Sequence, residues 1–377
     1  MSARHHILHL HSTFSLGGKE ARAARLMNAF EDSARHSIVS AMPDSLDARD
    51  AIEPGIDVVF PSDAPSLTGK PTPGRMAELA DYMRRFDLVL TYNWGAMDAV
   101  MAHRLARKAL PPLIHHEDGF NADEAHGLKT SRTFYRRFAF PTLHRLVVPS
   151  DRLADIARKI WKQPERRILQ IANGIPVQLY QAEPQPDAIP GFERQSGDVV
   201  IGTIAGLREV KDLPRLVRAV AALPDHVKLV IVGEGPERET IYCEALVDGI
   251  ADRVLLAGFL DRPWRYGGHF DIFALSSRSE QFPISVVEAM AAGLPVASPD
   301  VGDVWSMVAG PNRELLQSDR GGLEPALAVL VEDADLRRNI GEANRERALA
   351  DYDEAAMIDA YDRLYGEALG QERLRTA

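Results

Sequence analysis

Apolar positions in the first half of the chain come in short runs at residues 6–11, 37–42, 88–92, 113–116 and 146–149, each bounded by polar or glycine turns. Runs of that length set off by turns fit buried strands. Between them, residues 20–30 and 96–109 carry apolar side chains at helical spacing. Strand and helix in alternation is the rhythm of a parallel sheet wrapped by helices. Residues 176–197 break it, because they hold Pro176, Pro184, Pro186 and Pro190 and no periodic apolar pattern, so 179–197 reads as a linker. The rhythm restarts at 199–204, 228–232, 254–256, 272–275 and 295–298. From Leu323 onward the pattern is helical, and such a tail must dock to hide its apolar face. The expected fold class is α/β, with two doubly wound, Rossmann-like parallel-sheet domains at 1–178 and 198–352 and a C-terminal helix at 353–377.

Composition agrees with that division. The 377 residues exceed one ordinary domain of roughly 100–200 residues, and 45% apolar with 26% charged residues is ordinary for soluble globular chains. Cys243, the single cysteine, excludes an intramolecular disulfide and a thiolate metal cluster and fits a reducing compartment. A net charge of −10 argues against a nucleic-acid partner, while leaving room for a local basic pocket that grips one small anion. Residues 1–13 do not read as a signal peptide, and no run reaches the roughly 18 apolar residues of a membrane span. A cytoplasmic protein is expected, with membrane contact limited to the inner surface.

In open parallel sheets ligands bind beyond the carboxyl ends of the strands, so the chemistry is sought in strand-to-helix turns. The most informative one lies in SSRSEQFPISVVEAMAAGLP, residues 276–295. Here a strand ends, a polar loop carries Glu280, and a helix starts near Pro283 and stops at Gly293, which suits a left-handed C-terminal position. The free amides of that helix start, from Phe282 to Ser285, can receive a phosphate. Glu288, about one turn further in, would repel a phosphate unless it reaches past it to sugar hydroxyls, as an acid does for ribose in nucleotide folds. Phosphate on amides and a diol on a carboxylate describe a nucleotide.

Glu280 and Glu288 in E-x7-E, followed by A-M-A-x-G-x-P-V from Ala289 to Val296, resemble the donor-site signature of the retaining, two-domain glycosyltransferases of family 4 (glycosyl transferases group 1). The resemblance extends over GGKE at Gly17, VVPSDRL at Val147, NGI at Asn173, GLREVKD at Gly206, VGEGP at Val232 and AGF at Ala257. It implies GT-B architecture, two facing Rossmann-like domains with a cleft between them. It also implies that Arg208 and Lys211 bind the donor diphosphate, whose growing charge must be stabilised as the sugar leaves. The family more often has the arginine one place earlier than Gly206-Leu207-Arg208 puts it, which leaves Lys211 the firmer assignment.

By the same resemblance Glu280 sits beside the transferred sugar, and Glu288 holds the ribose. Gln281, Phe282, Pro283 and Ile284 present the helix start, while Gly233, Gly258 and Phe259 border the nucleotide. Gly17 and Gly18 form a turn that faces the phosphates, with a plain tight turn as the other reading and Glu20 as a cap for the next helix. His115, at a strand end of the acceptor-side domain, lies near sugar and acceptor and can exchange a proton at neutral pH. Glu117 and Asp118 are either acceptor ligands or simple loop acids. Double-displacement retention needs opposed carboxylates about 5 Å apart, which E-x7-E does not obviously supply. The front-face substitution of the family needs no protein nucleophile and no metal.

Other signals are weaker. His5, His6, His9 and His11 lack accompanying acids at metal-ligand spacing and read as strand histidines. Asp333 with Asp335, and Asp351 with Asp353, spell D-x-D in the helical tail and read as solvated helix acids. Lys129, Arg132, Arg136, Arg137 and Arg145, interleaved with Phe134, Tyr135, Phe138 and Phe140, suit anionic lipid headgroups or a lipid-linked diphosphate as well as they suit an ordinary basic helix face. The expected function is a hexosyltransferase that moves sugar from a UDP- or GDP-linked donor to a glycan or lipid-linked acceptor in cell-surface polysaccharide or glycolipid assembly. The alternatives are a nucleotide-sugar epimerase of the same fold and a non-catalytic two-lobed binder.

Overall fold

The computed structural model describes residues 4–15, 17–106, 108–120, 124, 127–317 and 322–375. The chain divides into two compact units, Met1–Asn173 together with Ala355–Ala377, and Gly174–Glu354. Among the described residues the first unit holds β1 (His5–His11), β2 (Ala34–Ser40), β3 (Val58–Val59), β4 (Leu88–Tyr92), β5 (Leu113–His116), β6 (Arg145–Val148) and β7 (Ile168–Gln170). They form one parallel sheet in the order β3-β2-β1-β4-β5-β6-β7. The second unit holds β8 (Val199–Ile204), β9 (Val227–Val232), β10 (Val254–Gly258), β11 (Ile272–Ala274), β12 (Val296–Pro299) and β13 (Leu316–Gln317). These are parallel too, in the order β10-β9-β8-β11-β12-β13. Strand order thus reverses between β1 and β4 and again between β8 and β11, the two places where such sheets receive ligands.

Local chemistry explains the element boundaries. The helix Leu213–Ala221 starts with proline in its first turn and buries Leu213, Leu216, Val217 and Val220 at helical spacing. β2 lies earlier than the expected 37–42 and stops at Ser40, whose hydroxyl receives the Met42 amide (3.2 Å) and turns the chain. The helix expected over 96–109 is shorter, Met97–Leu105, because Ala106 is already extended. Residues 179–197, expected as a linker, are packed within the second unit. Tyr180 meets Trp264 edge-on (6.2 Å), the Gln185 amide donates to Arg265 O (2.7 Å), and Arg194 grips both oxygens of Asp271 (2.9 and 2.7 Å). The last helix, Glu354–Ala368, places Met357, Tyr361, Leu364 and Tyr365 in the same core cluster as Ile7, Phe30, Leu90 and Ile114.

The first sheet is unusual in burying histidines. His9 joins Nε2 to His36 Nδ1 (3.0 Å) and Nδ1 to the Tyr92 hydroxyl (3.2 Å), while His11 stacks on Tyr92 at 4.0 Å. Burial lowers His36 to about 4 and His116 to about 3, and holds His9 and His11 well below the ordinary 6.5. All four are therefore neutral in the native state at pH 7. As pH falls through 6.5 the unfolded chain takes up protons first, so the stability these groups contribute is intact above that pH. It is then lost toward pH 3–4, at up to about 1.4 kcal/mol per pH unit for each histidine. Calorimetry is expected to show Tm falling steeply between pH 7 and 5; a flat profile there would contradict the buried neutral assignment.

Candidate active site

The turn that follows β8 buries Leu207 and leaves Arg208 exposed. A short 3-10 turn, Glu209–Lys211, then brings the Lys211 ammonium back over the sheet edge. Its Nζ lies 2.5 Å from Glu280 Oε1, which also accepts the Ser277 hydroxyl (2.6 Å), while Ser276 donates to Lys211 O (2.8 Å). Two turns far apart in sequence, at the β8/β11 reversal, are thus joined by a half-buried ammonium, a carboxylate and two hydroxyls. Lys211 and Glu280 are 25% and 11% exposed, so both remain reachable from solvent.

Behind this pair the helix Ile284–Ala291 begins, with Pro283 at its cap making no side-chain cap hydrogen bond. A helix start of that kind presents unpaired N–H groups and a partial positive charge to an anion. Glu288 is half-buried on the same helix. Burial, reinforced by the negative charges of Glu288 and Asp261, pushes the Tyr266 phenol above its ordinary range. Phe282 packs edge-on against Tyr352 (5.8 Å), and Gln281 O receives the Asp303 amide (2.9 Å). The helix is followed by Gly293 at φ 77°, the left-handed stop read from the sequence.

Close backbone approach fixes the neighbouring turns. Gly233 has φ 145°, and a Cβ there would stand 1.9 Å from Ala205 O. Its amide donates to Gly258 O (2.8 Å), so the turns after β8, β9 and β10 form one interlocked rim on which Phe259 is 70% exposed. Gly302 has φ 59°, and a Cβ would meet Gln281 O at 2.6 Å and Glu280 O at 2.8 Å. Only glycine allows the turn after β12 to buttress the Glu280 loop in this way. Ser277 and Gly302 were not singled out from the sequence. The serine pair directly after a strand and the glycine following β12 were the available signals.

The corresponding edge of the first unit differs from expectation. His115 is fully buried, with Nδ1 at 2.8 Å from Thr91 Oγ1 and Nε2 at 3.4 Å from Glu117 Oε2. Both ring nitrogens thus meet protein groups, and through Nε2 the ring braces the Glu117 carboxylate. Glu117 is buried and Asp118 half-buried, both in the loop that follows β5. Burial alone would raise Glu117, but the Arg136 guanidinium, at 3.0 Å from both oxygens, and His115 hold it below the usual range. Asp118 is likewise held down, against burial, by Arg22, which grips its two oxygens (2.5 and 2.9 Å) and also donates to Asn173 Oδ1 (2.6 Å). Gly17 caps the helix Gly18–Phe30 in extended conformation; a Cβ there would meet only the Glu20 carboxylate, and one on Gly18 would face open space. Lys19 contacts Glu20, and burial lowers its ammonium to about 8 despite the pull of Asp118.

The basic run is also corrected. Arg136 is 0% exposed, paired with Glu117 and set against Trp94, Phe120 and Trp161 (5.1, 5.7 and 4.9 Å). Arg132 donates to Glu124 (2.8 Å), Arg137 to Ile160 O (2.7 Å), and Arg145 to Glu367 (2.6 Å). These cations do not form one free basic face. Of the D-x-D acids, Asp333 caps its helix through the Leu336 amide (2.8 Å), Asp335 pairs with Arg338, and Asp351 pairs with Arg347.

With this geometry in hand, two family models match the chain, "Glycosyl transferase 4-like domain" over residues 3–174 and "Glycosyl transferases group 1" over 185–347. A GDP-mannose-dependent alpha-mannosyltransferase of Mycolicibacterium smegmatis is 33% identical over 186 residues, 48% of this chain and 46% of that protein. An N-acetyl-alpha-D-glucosaminyl L-malate synthase of Bacillus anthracis is 27% identical over 215 residues, 56% of each. The lipopolysaccharide core biosynthesis glycosyltransferase LpsE of Rhizobium meliloti is 31% identical over 164 residues, 43% of this chain and 48% of that protein. The chain thus spans about half the length of these curated relatives. In fold it is similar to HepE of Anabaena, solved in complex with UDP, with TM-score 0.77 at 20% identity over 96% of this chain and 99% of that one. A sucrose-phosphate synthase of Thermosynechococcus elongatus gives 0.76 at 20% identity over 97% and 99%. Two models that together take in both units, and a GT-B fold in each comparison, lead to one conclusion: the chain belongs to the group 1 glycosyltransferases, glycosyltransferase family 4.

Proposed function

We propose that the protein transfers a hexose from a nucleotide diphosphate sugar, UDP- or GDP-linked, to a hydroxyl of a glycan or lipid-linked acceptor, with retention of anomeric configuration. The observation that carries this reading is the Lys211, Ser277 and Glu280 cluster at the β8/β11 reversal, directly before the start of the helix that holds Glu288. In this reading the donor diphosphate takes the place beside Lys211, Arg208 and the first amides of that helix, where Gln281 to Ile284 lie. Glu288 accepts from the ribose hydroxyls, and the base lies along the rim formed by Gly233, Gly258 and Phe259.

As the bond from the anomeric carbon to the phosphate oxygen breaks, charge grows on the leaving diphosphate, and Lys211 and the helix amides are positioned to stabilise it. The acceptor oxygen bonds to the anomeric carbon on the same face, and its proton passes to a departing phosphate oxygen. Glu280 orients the sugar and stabilises positive charge at its ring. No protein nucleophile and no metal enter this scheme. Relatives acting in lipopolysaccharide core biosynthesis support a role in cell-surface glycan or glycolipid assembly.

A panel of UDP- and GDP-hexoses screened by thermal shift tests the donor assignment. The cognate donor at 100 times its Kd is expected to add about 2.7 kcal/mol of stability, and Glu288→Ala is expected to weaken that donor and its nucleoside diphosphate alike. A panel in which no nucleotide moves the transition, or an unchanged response of Glu288→Ala, would reject it.

A further inference from the structure

Asp212 stands in the left-handed backbone region, at φ 45° and ψ 47°, although it carries a side chain. Aspartate tolerates that region at a conformational cost that glycine escapes. Its half-buried carboxylate accepts from Arg278 Nε (2.9 Å), and the same guanidinium reaches Glu209 Oε1 through Nη1 (3.4 Å). The Arg278 amide donates to Val210 O (2.9 Å), while the neighbouring Ser276 hydroxyl donates to Lys211 O (2.8 Å). Arg278 thus holds residues 209, 210 and 212, on both sides of Lys211, and stands two places before Glu280. A single residue ties together the two turns that meet in the Lys211–Glu280 pair.

Arg278 and Glu209 are exposed, and an ion pair of that kind adds little to stability. The fold alone therefore gives no reason to place aspartate where glycine would sit with less strain. We propose that Arg278 is a positioning residue for sugar transfer: by gripping Asp212 and Glu209 it fixes the Lys211 turn against the Glu280 loop and neutralises two carboxylates on the turn that receives the donor diphosphate. The proposal rests on the donor reading above and deepens it. Held in this way, the Lys211 ammonium keeps its place as charge develops on the leaving group, where a displacement of about 1 Å can cost on the order of 10²-fold in rate. Without Arg278 the turn is released at Asp212, and its two acids repel the diphosphate and compete for the ammonium.

Steady-state kinetics and titration with UDP and GDP of the full chain test this with Arg278→Ala, Asp212→Gly and the double variant. Asp212→Gly keeps the left-handed turn and removes the partner. Each single variant is expected to lower kcat roughly tenfold, with Tm and the acceptor KM unchanged. The double variant is expected to be no slower than either single one, because both break the same contact. Arg278→Ala is also expected to weaken the nucleoside diphosphate, and Asp212→Gly added to it to restore affinity by removing one of the two bare charges. Arg278→Lys, which keeps a cation beside Asp212, is expected to recover part of the lost kcat. A merely structural role would lower Tm and leave the kcat of the folded protein intact. Wild-type kcat in Arg278→Ala, or single losses that multiply in the double variant, overturns the proposal, while transfer by the wild type leaves the donor reading standing. A wild type that binds neither nucleotide and transfers nothing overturns the donor reading, and this proposal with it.

Discussion

Lys211→Ala is expected to lower sugar transfer by roughly 10²–10³-fold, the scale of removing one preorganised charge-stabilising donor. Two effects add. The ammonium that faces the leaving diphosphate is lost, and Glu280, otherwise neutralised at 2.5 Å, is left as a bare carboxylate beside an anion. Because the pair is partly exposed, its contribution to stability is small, on the order of 0–1 kcal/mol. Turnover and nucleoside diphosphate affinity should therefore collapse while Tm barely moves. Glu280→Gln keeps a hydrogen-bond acceptor for Ser277 and should lower turnover while preserving nucleotide binding. A Lys211→Ala enzyme with wild-type kinetics would remove the diphosphate from this turn.

Arg136→Ala is the opposite kind of change, ruinous to the fold and remote from the donor chemistry. It leaves Glu117 charged in a site where both partners are 0% exposed, empties the space between Trp94 and Trp161, and frees His115 from an ordered neighbour. Breaking a buried pair from one side costs about 3–5 kcal/mol, a large share of the 5–15 kcal/mol that holds a typical domain together. Urea unfolding should show that loss as a lower midpoint. Arg136→Met combined with Glu117→Gln removes both charges at once and should recover most of it. A single-variant unfolding free energy within about 0.5 kcal/mol of the wild type, on the order of an ordinary surface change, would show that the network is not structural.

What the sequence could and could not disclose follows from range. β4, β8 and β9 were legible because each is a largely apolar run buried on both faces, and β1 because Ile7, Leu8 and Leu10 stand among its histidines. β3, β7 and β13 were not, being two or three half-buried residues at or near sheet edges, where tertiary pairing rather than pattern makes a strand. Lys211, Glu280 and Glu288 sit in turns whose place after a strand is a local property, and the resemblance of their motif put them together. Gly302 buttresses a loop about twenty residues earlier, and nothing periodic encodes that closure. His115 was placed at the right strand end, but strand position does not say which groups its ring will meet. Arg136 looked like a surface base because its partner Glu117 lies 19 residues away, at the end of a different element. The exposed rings of Phe134 and Phe138 were visible in the sequence only as part of that same run, and the structure reverses which members of it face solvent.

The central claim is a retaining transfer from a nucleotide diphosphate sugar, and proton NMR of the reaction tests it most directly. UDP- and GDP-α-hexoses are incubated with the enzyme and a mixture of glycan and lipid-linked acceptors, and the anomeric signals are followed with time. The account predicts that one donor disappears, that nucleoside diphosphate accumulates one for one with product, and that the new linkage is α. A β-linked product, a donor epimerised without acceptor, or a complete panel of donors left intact would contradict it.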